Sequence, residues 1–335
     1  VSTRLETVVW IDGAVEFVDQ TLLPHEEVMR RCATVDAVID AIVRLVVRGA
    51  PAIGVAGAYG VALAASLHDP VNDAEKFRIE VRRIRDARPT AVNLARMVDR
   101  TAVATSFDEA LRIAHAIREE ERLASISMGE LGADFLLERC GDRPLRVMTI
   151  CNTGALAAIE RGTALAVIQT LHERGKLAEA LPLETRPLLQ GGRLTAWELQ
   201  RMGAPFRLLV DSAAAMLLAR GFADAIVTGA DRIAANGDTA NKVGTFSLAL
   251  AAQFANVPFV VVAPETTVDL ATSSGSDIHI EERSVDEVTS FRGVRVSPIG
   301  TQAINPAFDV TPVSLIEALV TDKRVVRFPS GERIS

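Results

Sequence analysis

The chain has 335 residues, 49% of them hydrophobic, with a formal net charge of −7 and a pI near 5.4. That length is enough for about two domains with buried cores. The acidic balance leaves no basic face for nucleic acid or anionic membrane, so any phosphate site must be assembled from local arginines and lysines.

In chain order, residues 1–24 alternate weakly around Asp12-Gly13 and predict a hairpin. Val35, Val38, Ile39, Ile42 and Val46 then mark one face of a helix expected to stop near Arg48-Gly49. Pro51 suits the first turn of the next helix, where its missing N–H is no loss. That helix is rich in small residues on all sides, which suits the interior of a protein. Glycines and a proline interrupt residues 50–67, which argues against a membrane span. Residues 73–88 read as an exposed charged helix, Pro89 opens another, and 107–138 continue in helical period. The composition changes at Gly141-Asp142-Arg143-Pro144. Strand-like runs at 147–150, 208–210, 225–227 and 259–262 then alternate with helical runs at 163–174, 195–202, 213–220 and 242–255. Such alternation implies parallel crossovers. The expected fold is α/β. Residues 1–143 form a mainly helical domain with a small β element, and 144–335 a Rossmann-like, doubly wound parallel sheet. Without a GxGxxG, that fold does not imply a dinucleotide.

The cysteines, Cys32, Cys140 and Cys151, are far from CxxC spacing, and their odd number argues against a disulfide framework. The opening VSTRLETVVW lacks the layout of a signal peptide. The expectation is a soluble protein of the reducing cytoplasm. The five histidines show no metal-ligand spacing.

Chemistry concentrates in a few stretches. Ala225–Val227 reads as a buried strand, Asp231 stands where it should end, and Asn236-Gly237 signals a turn. From Asn241 the period becomes helical, with Val243, Phe246, Leu250 and Phe254 on one face, so Asn241 and Lys242 are expected at a helix N-terminus that favours an anion. A strand-end carboxylate beside such a site suits acid–base chemistry on a phosphorylated molecule. Cys151 ends another strand ahead of the polar turn Asn152-Thr153-Gly154, although position alone favours a cysteine buried for packing. Arg48-Gly49-Ala50-Pro51 couples a guanidinium to a helix start, and Arg88-Pro89-Thr90 repeats the construction. With Lys242 they suggest a distributed anion clamp. Gln190, before two glycines, could meet sugar hydroxyls, while composition favours a water-facing side chain. Thr195 and Glu198 have capping-box spacing. Asp211 is a competing strand-end carboxylate.

Taken together, RGAPAIG (48–54), ARPTAVNL (87–94), CNTGALA (151–157), TRPLLQGGRLTAWEL (185–199), TGADRIAANGDTANKVGT (228–245) and NPAFDVTP (305–312) resemble the methylthioribose-1-phosphate isomerase family. It is related to regulatory subunits of a translation-initiation exchange factor and to ribose-1,5-bisphosphate isomerase. The resemblance implies conversion of 5-methylthioribose 1-phosphate to 5-methylthioribulose 1-phosphate in methionine salvage, without metal or organic cofactor, by a homodimer. It implies Asp231 as proton donor and Cys151 as second catalytic residue. Arg48, Gly49, Ala50, Arg88, Gln190, Asn241 and Lys242 would hold the substrate. Because phosphate on the anomeric oxygen blocks simple ring opening, an acid must protonate the ring oxygen, which fits a carboxyl of raised pKa. Hydrogen then moves from C2 to C1, through an enolate or as hydride. The segment IERGTALAVIQ, Leu181-Pro182, Gly192 and His279 depart from the family pattern. The alternatives are 5-deoxyribose 1-phosphate or ribose 1,5-bisphosphate as substrate, or a non-catalytic regulatory subunit.

Overall fold

The computed structural model describes residues 7–88 and 91–334. The expected hairpin at Asp12-Gly13 is present: β1 (Val8–Ile11) pairs with β2 (Ala14–Val18), and β3 (Met29–Cys32) completes a three-stranded antiparallel sheet. Helix α1 (Val35–Val43) starts at Thr34, whose side chain accepts from the Ala37 N–H. It stops one turn earlier than expected, because Leu45 takes a positive φ and the Val46 N–H closes back on the Ala41 carbonyl. Val46 and Val47 are buried all the same, in the loop that carries Arg48 to the next helix.

Helix α2 (Ala50–Leu67) is buried continuously from Pro51 to Ala65. By length and composition it could cross a membrane, yet 83% of it is covered by protein. Around it pack α1, α3 (Ala74–Arg85), α4 (Val92–Thr101) and the 34-residue α5 (Phe107–Cys140). The proposed start of α4 at Pro89 and Thr90 lies outside the described residues. Along α5 the core changes hands. Ala110, Ala114 and Ile117 belong to the helical cluster, whereas Met128, Ala133 and Leu136 join the cluster under the main sheet.

That sheet begins with β4 (Leu145–Thr149), which leads through α6 (Ala164–Glu173) to β5 (Leu177–Pro182). A π-helical turn (Gly191–Thr195) runs into α7 (Ala196–Met202), and α8 (Ala214–Ala219) precedes β6 (Ala225–Thr228). Next come β7 (Arg232–Ala234), β8 (Thr239–Lys242), α9 (Thr245–Ala255), β9 (Phe259–Val262) and β10 (Val268–Asp269). A short helix α10 (Asp286–Thr289) leads into the small hairpin of β11 (Ser290–Phe291) and β12 (Val294–Arg295). The chain finishes with β13 (Phe308–Thr311), β14 (Ala318–Val320) and β15 (Val325–Arg327).

The main sheet has the order β15-β14-β9-β6-β4-β5, parallel throughout except for the antiparallel edge pair β14–β15. From β4 the chain goes first to one side, to β5, and then returns to the other, to β6. The carboxyl ends of β4 and β6 therefore flank the point where the winding reverses, the usual ligand crevice of such sheets. A second sheet, β10-β7-β8-β13, rises beyond the end of β6.

Three expectations are corrected. Residues 208–210 form no strand: only Leu209 makes a single bridge, to Leu183. The sheet edge is β5, whose LAEALP lacks the β-branched run that would have marked it. The helical period from Asn241 belongs to α9 only from Thr245 onward, since Asn241 and Lys242 are paired in β8 with Asp309 and Phe308 of β13. Its core face is also different. Leu248, Ala249 and Ala252 are buried, whereas Phe246, Leu250 and Phe254 are exposed. Aromatic and leucine side chains at helical spacing mark an apolar stripe but do not say what covers it.

Candidate active site

A cavity of about 1360 Å³ opens at the reversal point, between the main sheet, the second sheet and the N-terminus of α2. The nine residues that the resemblance assigns to catalysis or substrate all line it: Arg48, Gly49, Ala50, Arg88, Cys151, Gln190, Asp231, Asn241 and Lys242.

Cys151 follows β4 and has φ +67, a left-handed conformation that turns the chain sharply at the strand end. The turn is held on both sides. The Cys151 N–H donates to Thr185 Oγ1 at 2.9 Å, and Thr195 Oγ1 donates to the Cys151 carbonyl at 2.6 Å. The next residue, Asn152, receives two bonds from the Arg48 guanidinium, 2.7 Å to Oδ1 and 2.9 Å to its carbonyl.

Asp231 lies three residues beyond β6, its N–H bonded to the Ala240 carbonyl at 2.8 Å. Its side chain is solvent-exposed on the cavity side, and protein surrounds the carboxyl elsewhere. That enclosure raises its pKa, opposed by the positive charges of Lys242, Arg48 and Arg88, while Glu281 adds to the rise. The same side chain therefore stays closer to its neutral, proton-donating form than an ordinary aspartate.

The cations come from three separate elements. Arg48 precedes α2. Arg88 is 3.5 Å from Glu281. Lys242 is nearly buried, its Nζ donating to the Ala307 carbonyl at 2.7 Å and lying 4.8 Å from the centre of the Phe308 ring. Lys242 and Asn241 are thus fixed by strand pairing, which corrects their expected place at a helix start. The N-terminus of α9 is already occupied: Asp309 accepts from the Gly244 N–H at 2.7 Å and the Phe246 N–H at 3.1 Å. The NPAFDVTP stretch supplies that carboxylate and the strand that aligns Lys242.

Gln190 is buried, and its Oε1 lacks a hydrogen-bond partner among the described residues, an acceptor left for a ligand. At the opposite wall Gly49 has φ +93, and a Cβ there would come within 2.5 Å of Ala157 Cα. Only glycine lets the α2 terminus approach the loop after Cys151 this closely. The competing carboxylate Asp211 is structural: it accepts from the N–H groups of Thr185 and Arg186, each at 2.7 Å. Among the described residues no group of three or more His, Cys, Asp and Glu is arranged to hold a metal ion.

The expected capping box is absent. Thr195 is inside a continuous helical run, and Glu198 is buried against the cysteine turn, accepting from Asn152 Nδ2 at 2.6 Å and the Ala155 N–H at 2.7 Å. Sequence reasoning also missed Thr185 and Arg193, whose guanidinium donates to the carbonyls of Leu188, Gln20 and Leu23. Their proximity to Gln190 in one polar stretch was the available signal.

The model of the initiation factor 2 subunit family matches residues 46–327. The chain belongs to that family. A Nocardia farcinica relative, named a probable bifunctional methylthioribose-1-phosphate isomerase/methylthioribulose-1-phosphate dehydratase, is 51% identical over 95% of this chain, which spans 58% of that protein's length. A family member from Moorella thermoacetica, named 5-deoxyribose 1-phosphate isomerase, is 45% identical over 97% of this chain and 95% of its own. The crystal structure of 5-methylthioribose 1-phosphate isomerase from Pyrococcus horikoshii OT3 superposes with a TM-score of 0.89 at 39% identity, covering 97% of this chain and 93% of that one.

Proposed function

We propose that this chain is an aldose–ketose isomerase converting 5-methylthioribose 1-phosphate to 5-methylthioribulose 1-phosphate, a step of methionine salvage. The observation that carries the reading is one cavity lined by a strand-end thiol, a strand-end carboxyl of raised pKa and three cations from separate elements. Arg48, Arg88 and Lys242 hold the phosphate, with Gly49 and Ala50 bringing the α2 terminus to it. Gln190 and Asn241 meet the sugar hydroxyls. Asp231, its pKa raised by burial, protonates the ring oxygen and frees the C1–C2 pair. Cys151 is the second catalytic group, at the carbons between which hydrogen relocates. Both groups stand in intact surroundings, which favours an enzyme over a regulatory subunit of the same fold.

The methylthio substituent fits the apolar part of the lining, which includes Leu45, Ile53, Leu188 and Phe291. A bisphosphate would instead need a second cationic cradle. Of the other arginines in the lining, Arg193 is engaged by three carbonyls, Arg283 by Glu281 and Glu287, Arg44 by Asp40 and Arg232 by Asp269. Arg186 donates to the carbonyls of Pro187, Glu287 and Val288, and Arg292 meets His25. A homodimer in the cytoplasm is part of the same proposal. Phe254, 85% exposed, and its neighbours Phe246 and Leu250 offer an apolar stripe for a second copy. Light scattering of Phe254→Glu tests this, a monomer being expected.

The deciding experiment is turnover measured side by side on 5-methylthioribose 1-phosphate, 5-deoxyribose 1-phosphate and ribose 1,5-bisphosphate. The highest kcat/KM is expected for the first. Preference for the bisphosphate, or turnover of none, would overturn the assignment.

A further inference from the structure

From the cavity lining at Arg48 and Asn152 a buried polar chain runs back to Glu198, which does not line the cavity. Glu198, on α7, is only 6% exposed, and its carboxylate accepts from Asn152 Nδ2, the Ala155 N–H and the Leu156 N–H. Asn152 passes the chain outward, since its Oδ1 and its carbonyl both receive the Arg48 guanidinium. Thr195 Oγ1 closes the network, accepting from Asn152 Nδ2 at 3.3 Å and donating to the Cys151 carbonyl. The packing permits no slack. A Cβ at Gly154 would strike both Glu198 oxygens and approach Leu165 Cδ2 to 2.5 Å, so the turn after Cys151 is drawn directly onto the carboxylate.

We propose that Glu198 is a positioning residue which, by fixing the Asn152 amide, aims the Arg48 guanidinium at the phosphate of the substrate. The direction of the Asn152 amide decides the matter. An amide can turn either its oxygen or its NH2 toward Arg48, and only the oxygen accepts. Glu198, an acceptor, takes the NH2 and forces the oxygen to face Arg48. With both Asn152 oxygens on its Nη atoms, the guanidinium is locked in plane and its remaining N–H groups keep one heading. A carboxylate buried for fold stability alone would have no such outward connection. This inference rests on the isomerase reading, because Arg48 serves the phosphate there.

The test uses sulfate, which carries the shape and charge of the phosphate end without chemistry. In Glu198→Gln an NH2 replaces one acceptor oxygen and opposes a donor, so sulfate affinity and 1/KM should fall about tenfold with kcat nearly unchanged. In an Arg48→Ala background the same change should add almost nothing, because both substitutions remove one interaction. Asn152→Ala, which cuts the chain in the middle, should reproduce the sulfate loss and decides the question if Glu198→Gln does not fold. A folded Glu198→Gln or Asn152→Ala with wild-type sulfate affinity, or losses that add fully to Arg48→Ala, would overturn the proposal. Wild-type protein that binds sulfate with this coupling but turns over no methylthioribose phosphate would refute the isomerase reading and leave the positioning role standing.

Discussion

Gly49→Ala is the most searching perturbation of the site, because its cost can be worked from two independent observations. The first is conformational. Gly49 has φ +93 and ψ 137, a region all but closed to side chains, and holding alanine there costs roughly 1–3 kcal/mol. The second is steric. The added methyl would lie 2.5 Å from Ala157 Cα and 2.6 Å from Ala157 Cβ, atoms of a wall that cannot rotate away, which adds about 1–3 kcal/mol. Loss of glycine's freedom in the unfolded chain returns about 0.4–1 kcal/mol. The net destabilisation is therefore roughly 1–6 kcal/mol, a drop of several degrees in thermal midpoint. The strain falls where the α2 terminus meets Ala157. It pushes the α2 terminus and Arg48 away from the loop that follows Cys151, so KM should rise more than tenfold while any folded enzyme keeps a measurable kcat. Thermal unfolding and steady-state kinetics on the same preparation read both effects. Wild-type midpoint and wild-type KM together would refute the argument that close approach at this glycine shapes the site.

Asp231→Asn and Cys151→Ser should each abolish turnover with unchanged circular dichroism, and retained activity in either would remove that residue from catalysis. Arg88→Ala should raise KM with little change in kcat, as expected for a lost phosphate contact. Lys242→Met should also raise KM, and it carries a pH signature. The ammonium favours the Asp231 carboxylate, so its loss lets the neutral acid persist to higher pH, and the alkaline limb of the rate profile should move upward. Glu121, buried on α5, has its carboxyl pushed up to about 7, first by burial and then by Asp322 and Glu120. Its folded pKa exceeds its unfolded one. It therefore favours folding least once pH has risen through about 7, and urea denaturation of Glu121→Gln should show a gain over wild type that grows from pH 5 to pH 8, up to roughly 3 kcal/mol.

Local chemistry was legible wherever one residue's neighbours in sequence are also its neighbours in space. The small-residue run of α2, the Pro51 start, the strands before Cys151 and Asp231, and the glycine of Arg48-Gly49-Ala50 all follow from period, turn residues and backbone sterics. The six motifs together also pointed to residues that line a common cavity. Local pattern failed where pairing is non-local. Asn241 and Lys242 resembled a helix start because α9 follows at once, but β13, more than sixty residues later, takes them into a strand and caps the helix with Asp309.

Glu198 shows the same division from the other side. Its spacing from Thr195 satisfies the local rule for a cap, and nothing adjacent in the chain reveals that Asn152, forty-six residues earlier, is its partner. The amino-acid sequence alone determined most helices and the central strands β4, β6 and β9, and the polar residues at the ends of β4 and β6. Only the tertiary structure decided which ends meet, which carboxyl is enclosed and which guanidinium is aimed. Those properties depend on distances across the sheet, set by the winding reversal between β4 and β6 rather than by any contiguous stretch.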